Sequence, residues 1–237
     1  GDLGADVVKL EPPARGGKPG GDPMRGMGAQ RGGKSLMWAL VARNKRTVTC
    51  DPATPAGRAL LHRLVAAADV VVENLPAPTL AKWGATPDEL LAVNPDAIVV
   101  SVSCYGSTGP YAGRDGNGSL AEAFGGLTHM TGEADGPPML PSIPLGDTLT
   151  AIAGVVGTLA ACYHRDARGG RGQKVDVSMF EPVLQLLTGA VVAYQDGDDA
   201  PHRTGSRVPN GVPRNVYRTC DDAWLVVSGT TDNQVAR

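Results

Sequence analysis

Asp147 poses the sharpest chemical question in this sequence. It lies in Pro144-Leu-Gly-Asp-Thr148, and a run of uncharged, mostly small residues follows from Thr148 to Tyr163. A basic Gly-rich turn, Arg168 to Gln173, comes next. A lone carboxylate at the mouth of a long apolar helix has two uses. As an N-cap it accepts backbone N–H bonds, and the helix dipole favours its ionised form. A carboxylate kept anionic in a partly apolar setting can also serve as a nucleophile. On these residues alone the cap is the simpler reading.

Three other groupings have chemical potential. Gly28-Ala-Gln-Arg-Gly-Gly33-Lys34-Ser35 satisfies the phosphate-loop pattern G-x-x-x-x-G-K-[ST]. That pattern works only where a strand runs in and a helix leaves, so that backbone N–H groups converge on phosphate. Nothing apolar leads into Gly28, and the bland reading is a flexible basic loop. Asn74, Leu75 and Lys82 follow a buried strand, where ligands of open parallel sheets bind. The alternative is a solvated turn with a surface lysine. Arg114-Asp115-Gly-Asn117 reads by itself as a turn. Histidine offers no acid–base pair: His62 and His164 fall on helix surfaces, His129 at a helix end and His202 in a loop.

The elements that would position these residues follow from pattern. Val7–Glu11, 46–50, 69–73 and 97–103 read as short strands, the last two continuously apolar. Thr54-Pro55 starts a helix with a capping hydroxyl and Pro at its first position, and Leu60, Leu61, Leu64 and Val65 form its apolar face. Thr86-Pro-Asp-Glu89 is a capping box. Strand–helix–strand–helix–strand with Val/Ile-rich strands predicts a parallel sheet in an α/β domain. Residues 12–34, with Arg15, Lys18, Arg25, Arg31 and Lys34, read as a long irregular basic loop whose cations could meet phosphates. Helices are expected over 120–128, 147–165 and 181–194, a strand over 174–177, and a hairpin over 215–227 turning at Cys220-Asp-Asp. A large domain is expected over 1–195, and the start of a smaller one over 196–237.

The bulk numbers exclude some classes. With 237 residues, 42% hydrophobic and 19% charged, the composition is globular. A formal charge of -2 provides no global field toward nucleic acid or membrane. Cys50, Cys104, Cys162 and Cys220 are too far apart in sequence for a metal-ligand spacing, and reduced thiols in a cytoplasmic protein are expected. No signal peptide is visible, and the longest uncharged run is too short and too rich in Gly and Ala for a membrane span. Both ends read as cut, as in a piece of a longer protein.

Several segments in order resemble the family III CoA-transferases, the group that includes formyl-CoA transferase and carnitine CoA-transferase. They are Asp2 to Glu11, Asn44 to Val48, Thr54 to Arg58, Asp69 to Asn74, Tyr105 to Tyr111, Leu145-Gly-Asp147 and Gly169 to Met179. The resemblance implies a Rossmann-like parallel-sheet large domain plus part of a smaller α+β domain, in an interlocked homodimer. It implies that Asp147 attacks an acyl-CoA thioester, forms an acyl–aspartyl anhydride and then an aspartyl-CoA thioester, and passes CoA to an acceptor carboxylic acid. It places Asn74, Leu75, Lys82, Arg114 and Asp115 against CoA, which is a substrate, with no tightly bound cofactor and no metal. The usual first strand with its glycine-rich turn, and much of the C-terminal part, lie outside this chain. The α-methylacyl-CoA racemases share the fold and use a His-Asp-x-Asn-Tyr run, where this chain has Arg114-Asp-Gly-Asn-Gly118. An arginine stays protonated and cannot be that base, which favours the transferase. A racemase and an inactive CoA-binding homologue are the alternatives.

Overall fold

A computed structural model of the chain describes residues 4–17, 19–197, 199–208, 211, 213–229 and 231–235. The first strand, β1 (Val7–Glu11), enters the Pro/Gly-rich stretch. That stretch is more ordered than its composition predicts. It contains a 3-10 turn (Pro23–Gly26), a hairpin of β2 (Gln30–Arg31) and β3 (Lys34–Ser35), and then a helix, α1 (Leu36–Val41). The next strand, β4 (Lys45–Thr49), pairs in parallel with β1, with Val7 opposite Lys45.

Ion pairs explain the order. The buried Glu11 carboxylate accepts two bonds from the Arg25 guanidinium, at 2.8 and 2.9 Å. Lys9 pairs with Asp22 at 2.8 Å, and Arg15 with Asp51 at 3.4 Å. Arg25 also stacks 4.3 Å over the Trp38 ring. Two of the five loop cations, Arg15 and Arg25, are thus engaged with acids of the protein; Arg31 and Lys34 stand opposite each other on the hairpin, and Lys18 lies outside the described residues. The phosphate-loop pattern folds as this hairpin. Gly32 and Gly33, at φ 56° and 71°, form its turn, as two-residue hairpin loops require. Ser35 accepts the Trp38 N–H at 3.0 Å and donates to the Met27 carbonyl, so its hydroxyl caps α1.

The central unit then runs α2 (Pro55–Ala66), β5 (Val70–Glu73), α3 (Ala77–Trp83), α4 (Pro87–Val93), β6 (Ile98–Ser103), α5 (Gly118–Phe124), α6 (Leu127–Met130), α7 (Leu145–Ala167) and β7 (Gln173–Ser178). The predicted caps form: Thr54 accepts the Gly57 N–H, and Thr86 and Glu89 close a capping box. Strands β5, β6 and β7 make a parallel sheet with β6 in the middle. The parallel pairing expected from sequence therefore forms in two sheets among the described residues, β1–β4 and β5–β6–β7. Lys82, for which a solvated turn is the alternative reading, lies in α3. The helix expected over 120–128 is split at Gly125-Gly126, where Gly126 takes φ 90°.

Alternation along the strands assigns the two faces. Val99 and Val71 pack against Leu61, Val65, Leu80 and Leu90 from α2, α3 and α4. Ile98, Val100 and Val177 pack on the other face against Ala161, Ala153 and Cys162 of α7. The residues of α7 that face the strands are small: Gly154 lies over Val177, Gly157 over Val175, and Ala161 packs with Ile98 and Val100, so the helix lies close to the sheet. By length and apolarity alone α7 could cross a membrane, but its packing makes it the crossover helix between β6 and β7. The Arg165 guanidinium fixes its far end by donating to the Asp69 and Asp96 carbonyls at 3.2 and 2.8 Å, just before β5 and β6.

Beyond β7, the predicted single helix over 181–194 is two, α8 (Phe180–Leu186) and α9 (Thr188–Gln195), broken at Leu187. The hairpin forms as expected: β8 (Arg214–Arg218) pairs antiparallel with β9 (Trp224–Ser228), and a last turn of helix, α10 (Asp232–Val235), follows. Asp222 takes φ 65° in the hairpin turn, a conformation that Asp tolerates better than most residues.

Candidate active site

The site is built where α5 meets the start of α7. Because Arg165 ties the end of α7 to the amino edge of the sheet, its beginning lies at the carboxyl edge, where β5, β6 and β7 end. Helix α7 starts at Leu145, with Pro144 as an N-cap that offers no side-chain bond. Asp147 is therefore the third helical residue and not the cap, which corrects the sequence-based expectation. The cap's work is done from 24 residues away: Glu122 of α5, 2% exposed, accepts the Gly146 N–H at 2.7 Å.

Two glycines make this junction possible. A Cβ on Gly146 would stand 2.8 Å from the Gly118 carbonyl oxygen, and a Cβ on Gly118 would stand 2.4 Å from Asp147 Oδ2. The Asp147 carboxylate thus rests directly on the first residue of α5. It is exposed rather than at a buried edge.

A cleft of about 500 Å³ opens over this carboxylate, lined by Asn117, Ser119, Leu120, Thr128 and Leu140 as well as Gly118 and Asp147. Asn117 caps α5 by accepting the Leu120 N–H at 3.1 Å. The Thr128 hydroxyl is buried with no hydrogen-bond partner among the described residues. Other threonines in or at the end of these helices (Thr131, Thr148, Thr150 and Thr158) bond the carbonyl four residues back. Thr128 follows the Gly125-Gly126 break, which takes it out of that register.

The loop between β6 and α5 forms one wall of the region. Its rings cluster with that of Phe124 from α5: Tyr105, Tyr111 and Phe124 lie 5.0–5.4 Å apart, and Phe124 stands edge-on to Phe180 of α8 at 5.0 Å. The Ser107 N–H donates to Asp176 of β7 at 2.9 Å, and Lys174 donates to the Ser107 hydroxyl at 3.0 Å. Arg114 stacks 4.3 Å over Tyr111.

The residues singled out from sequence are distributed as follows. Arg114 and Asp115 are exposed in this loop, just before Asn117. Asn74 and Leu75 follow β5 at the same carboxyl edge, exposed, with the Leu75 N–H on the Glu73 carboxylate at 3.0 Å. Lys82 is in the last turn of α3, in the helical layer opposite α7, and its carbonyl accepts from Arg58 at 2.9 Å. None of these five lines the Asp147 cleft. Sequence reasoning missed Glu122, Thr128 and the Gly118 contact. A single acid inside the otherwise uncharged α5 was the available signal for Glu122.

Cys104 lies beneath this loop, its thiol 3.7 Å from the Asn117 carbonyl. Burial pushes the Cys104 thiol up from its ordinary pKa, and does the same to Cys50. Less thiolate is present at a given pH, so alkylation there is slow and keeps rising to higher pH than for a free thiol. Iodoacetamide at pH 8 is expected to modify the exposed Cys220 first and to leave Cys50 and Cys104 protected until the protein unfolds. Peptide mapping reads this order, and early modification of Cys104 would contradict the burial.

Comparison with known proteins identifies the family. The model of CoA-transferase family III matches residues 1–237. The chain is 42% identical over 237 residues to the succinyl-CoA–D-citramalate CoA-transferase of Chloroflexus aurantiacus, covering all of this chain and 58% of that protein. It is 35% identical over 243 residues to the succinate–glutarate CoA-transferase of Agrobacterium fabrum, covering all of this chain and 59% of that protein. Among solved structures, a CAIB/BAIF family protein from Brucella suis superposes with a TM-score of 0.86 at 33% identity, over 99% of this chain and 61% of that one. The chain therefore spans less than two thirds of each of these proteins. With an α/β fold of parallel sheets like that of the Brucella protein, and a family match from end to end, the chain belongs to the family III CoA-transferases.

Proposed function

We propose that the protein carrying this chain moves CoA from an acyl-CoA to a free carboxylic acid, with Asp147 as the nucleophile. The observation that carries the reading is the exposed Asp147 carboxylate, seated against Gly118 under an open cleft at the carboxyl edge of the sheet. A carboxylate oxygen attacks the thioester carbonyl, the C–S bond breaks, and an acyl–aspartyl anhydride and CoA thiolate result. The thiolate attacks the aspartyl carbonyl, which releases the first acid and leaves an aspartyl-CoA thioester. The acceptor carboxylate attacks that thioester and expels thiolate again. The thiolate then takes the new acyl group and frees Asp147. Each step exchanges one acyl bond for another, so no barrier includes an uncatalysed displacement.

CoA is a substrate in this scheme, and no resident cofactor or metal is invoked. Asn74 and Leu75, with Arg114 and Asp115, offer contacts along the sheet edge, and Lys82 offers a cation to the phosphates from the opposite layer. The unpartnered Thr128 hydroxyl, on a residue that lines the cleft, suits an occupant with oxygen atoms. A racemase is disfavoured by Arg114, which stacks on Tyr111 and carries no base. The reading includes a homodimer whose second copy covers the exposed stripe Ile152, Val155, Val156 and Leu159 on α7. The free thiols suit the cytoplasm, and the hairpin begins a smaller domain.

Incubation with succinyl-CoA and hydroxylamine tests the covalent step. Asp147 is expected to become a hydroxamate, detected by peptide mass mapping. A fully active protein with Asp147 unmodified would sink the proposal.

A further inference from the structure

We infer that Glu122 is a positioning residue for Asp147, acting through the Gly146 N–H. The inference rests on the nucleophile reading above. Glu122 is an acid 2% exposed in a short helix, and a buried carboxylate is costly unless its oxygens are bonded. Its bond to Gly146 is made to the residue immediately before Asp147. Helix α7 has no side-chain cap of its own, so this bond serves one of the orphan N–H groups of its first turn. The same helix α5 places Gly118 against the Asp147 carboxylate. One short helix thus holds the nucleophile from two sides, by a hydrogen bond behind it and a van der Waals contact beside it. What the position requires is an acceptor oxygen of this reach, which a glutamine also supplies.

The test compares Glu122→Ala and Glu122→Gln in the full-length protein, with succinyl-CoA as donor. In Glu122→Ala, kcat is expected to fall about tenfold while KM for succinyl-CoA stays within about twofold. Amide hydrogen exchange at Gly146 and Asp147 should accelerate in the same variant, a readout independent of turnover. Glu122→Gln should restore slow exchange and bring kcat to within about threefold of wild type. A Gln variant as impaired as Ala would overturn the inference, because charge and not acceptor geometry would then be at work. So would a wild-type kcat in Glu122→Ala, or a lowered melting temperature with kcat per folded molecule unchanged. If the wild-type protein transfers no CoA, the nucleophile reading fails and this role goes with it. If wild type is active and exchange at Gly146 is unaltered in Glu122→Ala, the positioning role alone fails.

Discussion

Asp147→Asn is expected to remove CoA transfer, lowering kcat/KM on the order of 10⁴-fold with the fold intact. Asparagine keeps the shape of the side chain but loses the anionic oxygen that forms the anhydride in the proposed mechanism. The substitution is mild for the structure. Asp147 is exposed, and no bond to its carboxylate is seen among the described residues. The melting temperature should therefore move by no more than about 1 °C. The measurement is CoA exchange between succinyl-CoA and a second acid, followed by chromatography, beside thermal unfolding of the same preparation. Retention of more than about a tenth of the wild-type rate would remove Asp147 from the covalent step.

Gly118→Ala tests the seat rather than the nucleophile. The new methyl would lie 2.4 Å from Asp147 Oδ2 and 2.8 Å from its Cγ, inside any real contact distance. The backbone of α5 is held at Gly146 by the Glu122 bond, so the free end of Asp147 is what gives way. Displacing an attacking oxygen by about 1 Å can cost about 100-fold in rate, and that is the expected fall in kcat. Stability should change little, since alanine is the better helix former and the displaced group is exposed. Gly189→Ala supplies the control: a Cβ there meets nothing within 4 Å, and its rate should match wild type. Equal kcat for Gly118→Ala and wild type would show that the carboxylate is not held against α5.

Features with a local signature were legible in the sequence. The apolar runs at 69–73 and 97–103 became the buried strands β5 and β6, and Thr54-Pro55 and Thr86 to Glu89 capped the helices they predicted. Helix α3 was hidden because its seven residues, with Pro76 and Pro78 at its head, carry the composition of a turn. The breaks at Gly125-Gly126 and Leu187 fall inside apolar stretches whose hydrophobicity continues across them, so pattern alone joined what the backbone separates. Asp147 was legible as a candidate but its place was not. Its role as cap was taken by Glu122, 24 positions before the Gly146 N–H it accepts, and a tertiary hydrogen bond leaves no mark on local spacing. The order of the 12–34 stretch was illegible for a related reason: Arg25 and Arg15 pair with Glu11 of β1 and with Asp51 just after β4, and Asp22 pairs with Lys9 of β1, all contacts that no local pattern records.

Helix α7 also acts as a lever. Eighteen residues separate Asp147 from Arg165 in the sequence, which is about 27 Å of helix. Its far end is clamped by one guanidinium to the carbonyls of Asp69 and Asp96. A tilt of about 2° about that clamp carries the carboxylate through about 1 Å, the scale on which rates change a hundredfold. Reach multiplies small errors. Residues at the amino edge of the sheet, a helix length away from the cleft, therefore have as much hold on the aim of the proposed nucleophile as those that line it.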